Sequence, residues 1–290
     1  MVVGLVIDVM PDLGITRVSR WIFNCYIVHN GDRGPVVVDA GLPRVADDVA
    51  PILDQVGGQV QAIIATHGHS DHVAGAARLA GQCQAPIYLP EATINYLHGA
   101  RPRTPTAAAV ARIRPTLIDQ PLDRIAVAGL ITGARIAGYG TPAGMRWTGP
   151  PPAGALIDGE PWLVAPEWTI VAAPGHTDDS VTFWNPGTRT LLSGDAVLSV
   201  RGKAWHTPET VDTARARQTR DHLQSLPVAH LLPGHGRPVH AGATVWEHQR
   251  RWQLRPTILQ SAPRAALFVN LIPGCAAVRK PGSIHIDLPV

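Results

Sequence analysis

The sequence predicts an α/β protein whose two similar βα halves pack as a sandwich. Short β-branched runs alternate with helical stretches along most of the 290 residues, and the order of strands then helices occurs twice. Hydrophobic residues make up 45% and charged residues 16%, which supports a large core and excludes a mostly disordered chain. The 28 glycines and 27 prolines follow no period, so they mark a loop-rich globular chain rather than a collagen-like one. Residues 1–290 are read as a single domain, with an insertion at 91–155 and a C-terminal extension at 241–290.

LVIDV, NCYIV (24–28) and PVVVDAG (35–41) read as strands, and Asn30-Gly31 and Gly34 punctuate the last two as in a hairpin. A helix follows Pro43, with Val45, Val49, Ile52, Leu53 and Val56 on one face. Gln61 to Thr66 reads as a buried strand, followed by a loop dense in His and Asp, a small-residue helix from Val73 to Ala80 and the strand PIYLP. The 91–155 segment is helical in part between Ala107 and Ile136, and rich in Gly and Pro between Tyr139 and Pro152. It is either a lid over a site or an ordinary surface excursion. Strands resume at WLVA, TIVAAP, VTFWN and TLLSGDAV. A helix spans Val211 to Leu226, VAHLLPGHG is strand then loop, and a helix carries Trp246 and Trp252 to near Pro256. The tail SIHIDLPV alternates like a strand.

Several function classes are excluded at this level. The apolar stretch Ile125 to Ala134 is bounded by Arg124 and Arg135, far short of the roughly 20 residues that a membrane span needs. The N-terminus lacks a basic leader region and carries Asp8, which argues against a signal peptide. Cys25, Cys83 and Cys275 are widely spaced and odd in number, so they form no disulfide framework, and a cytoplasmic location is expected. The net charge of +3 is carried almost wholly by arginine, with no basic run interleaved by aromatics. No nucleic-acid partner is expected.

The chemistry concentrates in Thr66-His67-Gly68-His69-Ser70-Asp71-His72, which places four metal-ligand side chains between a buried strand and a helix. Imidazole and carboxylate are common zinc ligands, and His67 and His69, two apart in extended chain, point the same way. Pro174-Gly175-His176-Thr177, Ser193-Gly194-Asp195 and Pro233-Gly234-His235-Gly236 each add one ligand at a strand end followed by small residues. The other eight histidines stand in no such context, His206 being the one kept in view.

This HxHxDH, PGHT, GDA, PGHG series strongly resembles the metallo-β-lactamase fold superfamily over roughly residues 20 to 240. The resemblance implies a four-layer αββα sandwich with the site at one edge of its two sheets. It implies one metal on His67, His69 and His176, a second on Asp71, His72 and His235, and Asp195 bridging both. Asp39 matches a carboxylate that supports the ligands from behind. The metals so implied are two divalent ions, zinc first, with manganese or iron as alternatives. The resemblance further implies a hydroxide shared by the two ions, oriented by Asp71, that cleaves an ester, thioester or lactone in a small-molecule substrate. A bridging Asp195 is similar to the thioesterase, lactonase and phosphodiesterase branches, and argues against antibiotic hydrolysis. Leu198 replaces a tyrosine usual in lactonases, and the glutathione-binding basic cluster of glyoxalase II has no clear counterpart. The alternatives are a persulfide-dioxygenase-like enzyme with one iron on His67, His176 and Asp195, and a phosphodiesterase or nuclease of the same fold. Trp147, Trp205 and His206 are the candidates to line the substrate pocket. The apolar tail from Leu267 either pairs two copies as a homodimer or covers its own core.

Overall fold

In the computed structural model, whose described residues are 4–140, 144–162 and 164–248, the N-terminal half builds a seven-stranded sheet. Its strands are β1 (Leu5–Met10), β2 (Ile15–Arg20), β3 (Phe23–Val28), β4 (Val36–Val38), β5 (Ala62–Ile64), β6 (Ile87–Pro90) and β7 (Gly154–Leu156), in that spatial order. The pairs from β1 to β4 are antiparallel and those from β4 to β7 parallel. Parallel neighbours need crossovers, and helices supply them: α1 (Val45–Val56) before β5, then α2 (Ser70–Val73) and α3 (Ala76–Cys83) before β6. Between β6 and β7 lie α4 (Glu91–Leu97), α5 (Ala107–Ala111), α6 (Arg114–Leu117) and α7 (Arg124–Ile136).

The second half contributes β8 (Pro161–Trp162), β9 (Ala165–Ala172), β10 (Val181–Asn185), β11 (Thr190–Gly194), the hairpin β12 (Val197–Val200) and β13 (Lys203–His206), α8 (Thr213–Ser225), β14 (His230–Pro233) and β15 (Val239–His240). Six of these strands form the second sheet in the order β15-β14-β11-β10-β9-β8.

Side-chain alternation assigns the layers. On β3, Cys25 and Ile27 face α1 and α3, while Tyr26 and Val28 meet Trp168, Ile170 and Phe183 of the second sheet. On β11 and β14, Leu192 and Leu232 join that inter-sheet core, while Leu191 and Leu231 pack with Leu223 of α8. Both sheets are therefore covered on both faces, which is why their strands read as continuous apolar runs. The result is the αββα sandwich.

Several sequence expectations need correction. β2 was not anticipated, because ITRVSR carries two arginines. Both are buried: Arg17 donates to Asp8 and Asn24, and Arg20 to Asp48 and Asp123. The run PVVVDAG stops being strand at Val38, since Asp39 takes φ 59°. The Val73–Ala80 helix is two helices, broken where the Gly75 N–H donates to Ala40 O at 2.8 Å. TLLSGDAV divides into β11 and β12 at Gly194, and the β12–β13 hairpin turns through Arg201 and Gly202, both at positive φ. Of the expected Trp246–Trp252 helix, Val245–His248 is a 3-10 turn. The rest of that helix, the alternating tail and the apolar stretch from Leu267 lie outside the described residues. No helix among the described residues is long and apolar enough to cross a membrane.

Candidate metal centre

Every expected ligand lies just beyond the carboxyl end of a strand. His67, His69, Asp71 and His72 follow β5 and enter α2; His176 follows β9, Asp195 follows β11, and His235 follows β14. β9 and β11 are both antiparallel to β10, and β11 is parallel to β14, so these strands end on one side.

Three overlapping donor groups result: His67 with His69 and His176; His67 with His72 and Asp195; and Asp71 with His72 and His235. His69 Nδ1 lies 3.1 Å from His67 Nε2 and 3.2 Å from His176 Nε2. His235 Nε2 lies 3.1 Å from Asp195 Oδ2 and 3.3 Å from Asp71 Oδ2, and His72 Nε2 lies 3.4 Å from Asp195 Oδ1. Asp195 Oδ2 also lies 3.6 Å from His176 Nε2, so this carboxylate reaches residues of all three groups.

The opposite ring nitrogens explain which atoms face inward. His72 Nδ1 donates to Asp39 Oδ2 at 2.9 Å, and a carboxylate oxygen only accepts, so Nε2 is the ring nitrogen left to face a metal. Asp39 is itself fixed by the Thr66 N–H at 2.7 Å and the Thr66 hydroxyl at 2.9 Å. That hydroxyl oxygen in turn lies 3.2 Å from His67 Nδ1. His176 Nδ1 donates to the Glu209 carbonyl at 2.8 Å. Gly234 is required where β14 reaches the site, since a Cβ there would stand 2.8 Å from His72 Cε1 and closer still to Asp195.

Electrostatics point to bound positive charge. Burial, reinforced by neighbouring imidazoles, pushes His67 well down and His69 to about 3, so both rings stay neutral and each keeps one nitrogen lone pair for a cation. Burial opposes charge on His72 and His235 as well, but the facing carboxylates together outweigh it: Asp195 and Asp39 hold His72 well up, and Asp195 and Asp71 hold His235 at about 10. Asp71 and Asp195 stay ionised despite burial because these imidazoles face them. Among the described residues, the buried atoms His72 Nε2 and Asp195 Oδ1 have no hydrogen-bond partner. Unpaired buried donor atoms around buried carboxylates are what a divalent cation satisfies, so the residues present fit a metal.

Trp147 packs on the core beside α1 and α3 and donates its indole N–H to Pro150 O. His206 stacks on Trp246 with ring centroids 5.6 Å apart and lies 3.3 Å from Gln224 Nε2. Trp205 sits half-buried on β13 opposite Leu198. Phe23, which the sequence did not single out, lies against the donor cluster, its ring edge-on to His235 at 5.2 Å. Sequence reasoning also missed Asp179, whose carboxylate accepts the Gly68 N–H inside the ligand loop; the signal available was an acidic pair just after His176.

The profile of the metallo-beta-lactamase superfamily matches residues 20–235. "Probable metallo-hydrolase YflN" of Bacillus subtilis is 27% identical over 249 residues, covering 78% of this chain and 85% of that protein. "Probable metallo-hydrolase YybB" of the same organism is 26% identical over 201 residues, covering 64% and 74%. Among solved structures, TTHA1623 in a di-iron-bound form aligns at TM-score 0.51 and 23% identity over 77% of this chain and 92% of that one. A metallo-beta-lactamase from Pontibacter korlensis aligns at TM-score 0.55 and 14% identity over 87% and 100%. These two likenesses speak to the fold.

Proposed function

Since the chain belongs to the metallo-beta-lactamase superfamily, we propose that it is a binuclear metallo-hydrolase cleaving an ester, thioester or lactone bond of a small-molecule substrate. The observation that carries this reading is the convergence of seven donor side chains in three overlapping groups, with Asp195 3.1 Å from His235, 3.4 Å from His72 and 3.6 Å from His176. A closed structural zinc site needs four ligands, not seven. His67, His69 and His176 would hold one ion, Asp71, His72 and His235 the other, and Asp195 both. Zinc suits this mixed nitrogen and carboxylate set, with manganese or iron as alternatives. Two such ions lower the pKa of a bound water toward neutrality and polarise a carbonyl oxygen.

The chain's own residues supply the rest. Asp71 is the most open carboxylate of the set, its side chain 19% exposed against 6% for Asp195. In this reading it would orient the attacking water and relay its proton. Asp39 keeps the His72 proton on Nδ1. Phe23 packs edge-on against the His235 ring and would help keep bulk water from that side. Cys25 is no rival nucleophile, since burial pushes its thiol up and leaves it protonated.

Purified protein carrying zinc should hydrolyse members of a panel of thioesters, lactones and carboxylic esters, and Asp195→Ala should lose metal and activity together. Full activity of Asp195→Ala would overturn the bridging assignment. Turnover confined to phosphodiesters would overturn the bond type.

A further inference from the structure

One ligand of the first set has no anchor of its own. His67 leans on Thr66, His72 on Asp39 and His176 on the Glu209 carbonyl. His69 turns Nδ1 inward, and its buried Nε2 has no hydrogen-bond partner among the described residues. Its position has to come from the backbone around it and from whatever packs on its ring.

Both come from outside the ligand loop. The backbone of Tyr139, just after α7, runs beside the loop as a short parallel bridge to His69. Its N–H donates to Gly68 O at 3.0 Å, and its carbonyl accepts the Ser70 N–H at 3.3 Å. The Tyr139 ring packs edge-on to His69 at 4.7 Å, and Tyr96 of α4 packs on Tyr139 at 5.5 Å. Asp179 then ties the assembly together. It is 2% exposed, and its Oδ2 accepts the Gly68 N–H at 2.9 Å and the Thr93 hydroxyl of α4 at 2.6 Å. Its Oδ1 accepts the Tyr139 hydroxyl. Burial and the adjacent Asp179 push the Tyr139 phenol well up, so it stays a donor. The fit leaves no slack at Gly68, where a Cβ would stand 2.9 Å from both Thr93 and Tyr139.

We propose that Asp179, Thr93 and Tyr139 form a buried brace that positions His69 and so sets the metal affinity of the His67–His69–His176 set. The Asp71–His72–His235 set depends on Asp39 instead. The brace explains what the 91–155 insertion does at this edge of the sheets: through Thr93 and Tyr139 it holds the ligand loop from outside. Asp179 and Tyr139 are positioning residues, not catalytic ones. The proposal rests on the two-ion reading above.

The test is a zinc titration of the full-length, chelator-stripped protein against a competing chromophoric chelator, with thermal melts to confirm folding. Wild type should bind two zinc ions. Asp179→Ala and Tyr139→Ala should weaken one of the two by about 10- to 100-fold, the range typical when a ligand's support is lost, and leave the other within twofold. Asp179→Asn keeps an acceptor for the Gly68 N–H and should fall between Asp179→Ala and wild type. If Asp179→Ala does not fold, Tyr139→Phe decides: it keeps the ring on His69, removes one hydroxyl, and should still weaken one ion by at least threefold. Unchanged affinities, or equal weakening of both ions, overturn the brace. A wild type that binds one zinc contradicts the two-ion reading. The brace then survives only if Asp179→Ala weakens that ion and Asp39→Ala does not.

Discussion

Replacing Asp39 by asparagine changes three atoms' worth of hydrogen bonding and one proton's location. Three donors converge on the native carboxylate: the Thr66 N–H at 2.7 Å, the Thr66 hydroxyl at 2.9 Å and His72 Nδ1 at 2.9 Å. An asparagine has one oxygen to receive them and presents N–H groups to the rest. If its oxygen keeps the Thr66 N–H, its nitrogen faces the hydroxyl and His72 Nδ1. The hydroxyl can rotate and accept. The imidazole can accept only by moving its proton to Nε2, the atom that faces Asp195 Oδ1 at 3.4 Å and is needed for the metal. Loss of such a supporting carboxylate weakens metal binding by about 10- to 100-fold, or roughly 1.4–2.8 kcal/mol. The loss should fall on the ion held by Asp71, His72 and His235. Competition titration with a chromophoric chelator reads it directly, and Asp39→Ala, which offers His72 no wrong partner, should be no worse than Asp39→Asn. Zinc affinity of Asp39→Asn within twofold of wild type would refute the tautomer argument.

Three further outcomes follow from the packing. Burial lowers His206 to about 4, below the unfolded value near 6.5. The unfolded chain therefore binds the extra proton first, and stability falls as pH drops from about 6.5 to 4, by roughly 3 kcal/mol from this residue at most. Urea unfolding at several pH values should show a shallower acid loss in His206→Asn than in wild type, and parallel curves would contradict the assignment. Phe183 is fully buried between the sheets against Trp162, so Phe183→Ala should cost about 3–5 kcal/mol in denaturant unfolding, and a loss below 1 kcal/mol would mean that this core is not tightly packed. Cys25 should resist alkylation in the native protein while half-buried Cys83 reacts first, as peptide mass mapping after brief iodoacetamide treatment would show; faster labelling of Cys25 would place it nearer solvent than its 1% exposure.

The His and Asp cluster was legible in the sequence because chemistry and topology coincide there. A buried strand must end, small residues let the chain turn, and a His or Asp at that end has few structural reasons to be present. The supporting residues were legible only when they shared this signal, as Asp39 does at the end of β4. Asp179 did not: Asp178 and Asp179 are adjacent, one paired with Arg103 and the other buried beneath the ligand loop, and nothing local distinguishes them. Tyr139 meets Asp179 across 40 positions of sequence, from a Gly-rich stretch with no periodicity to read. β2 was missed for a similar reason, since its arginines look like solvent-facing charges until Asp8, Asp48 and Asp123 are brought to them by tertiary structure.

If two divalent ions share Asp195, protein purified without added metal should carry both, and elemental mass spectrometry counts them. Near two equivalents per chain of zinc, manganese or a mixture, falling to one or none in Asp195→Ala, is the expected result. One equivalent of iron alone, with oxygen consumed on addition of a persulfide, would contradict the binuclear hydrolase and point to iron held by His67, His176 and Asp195.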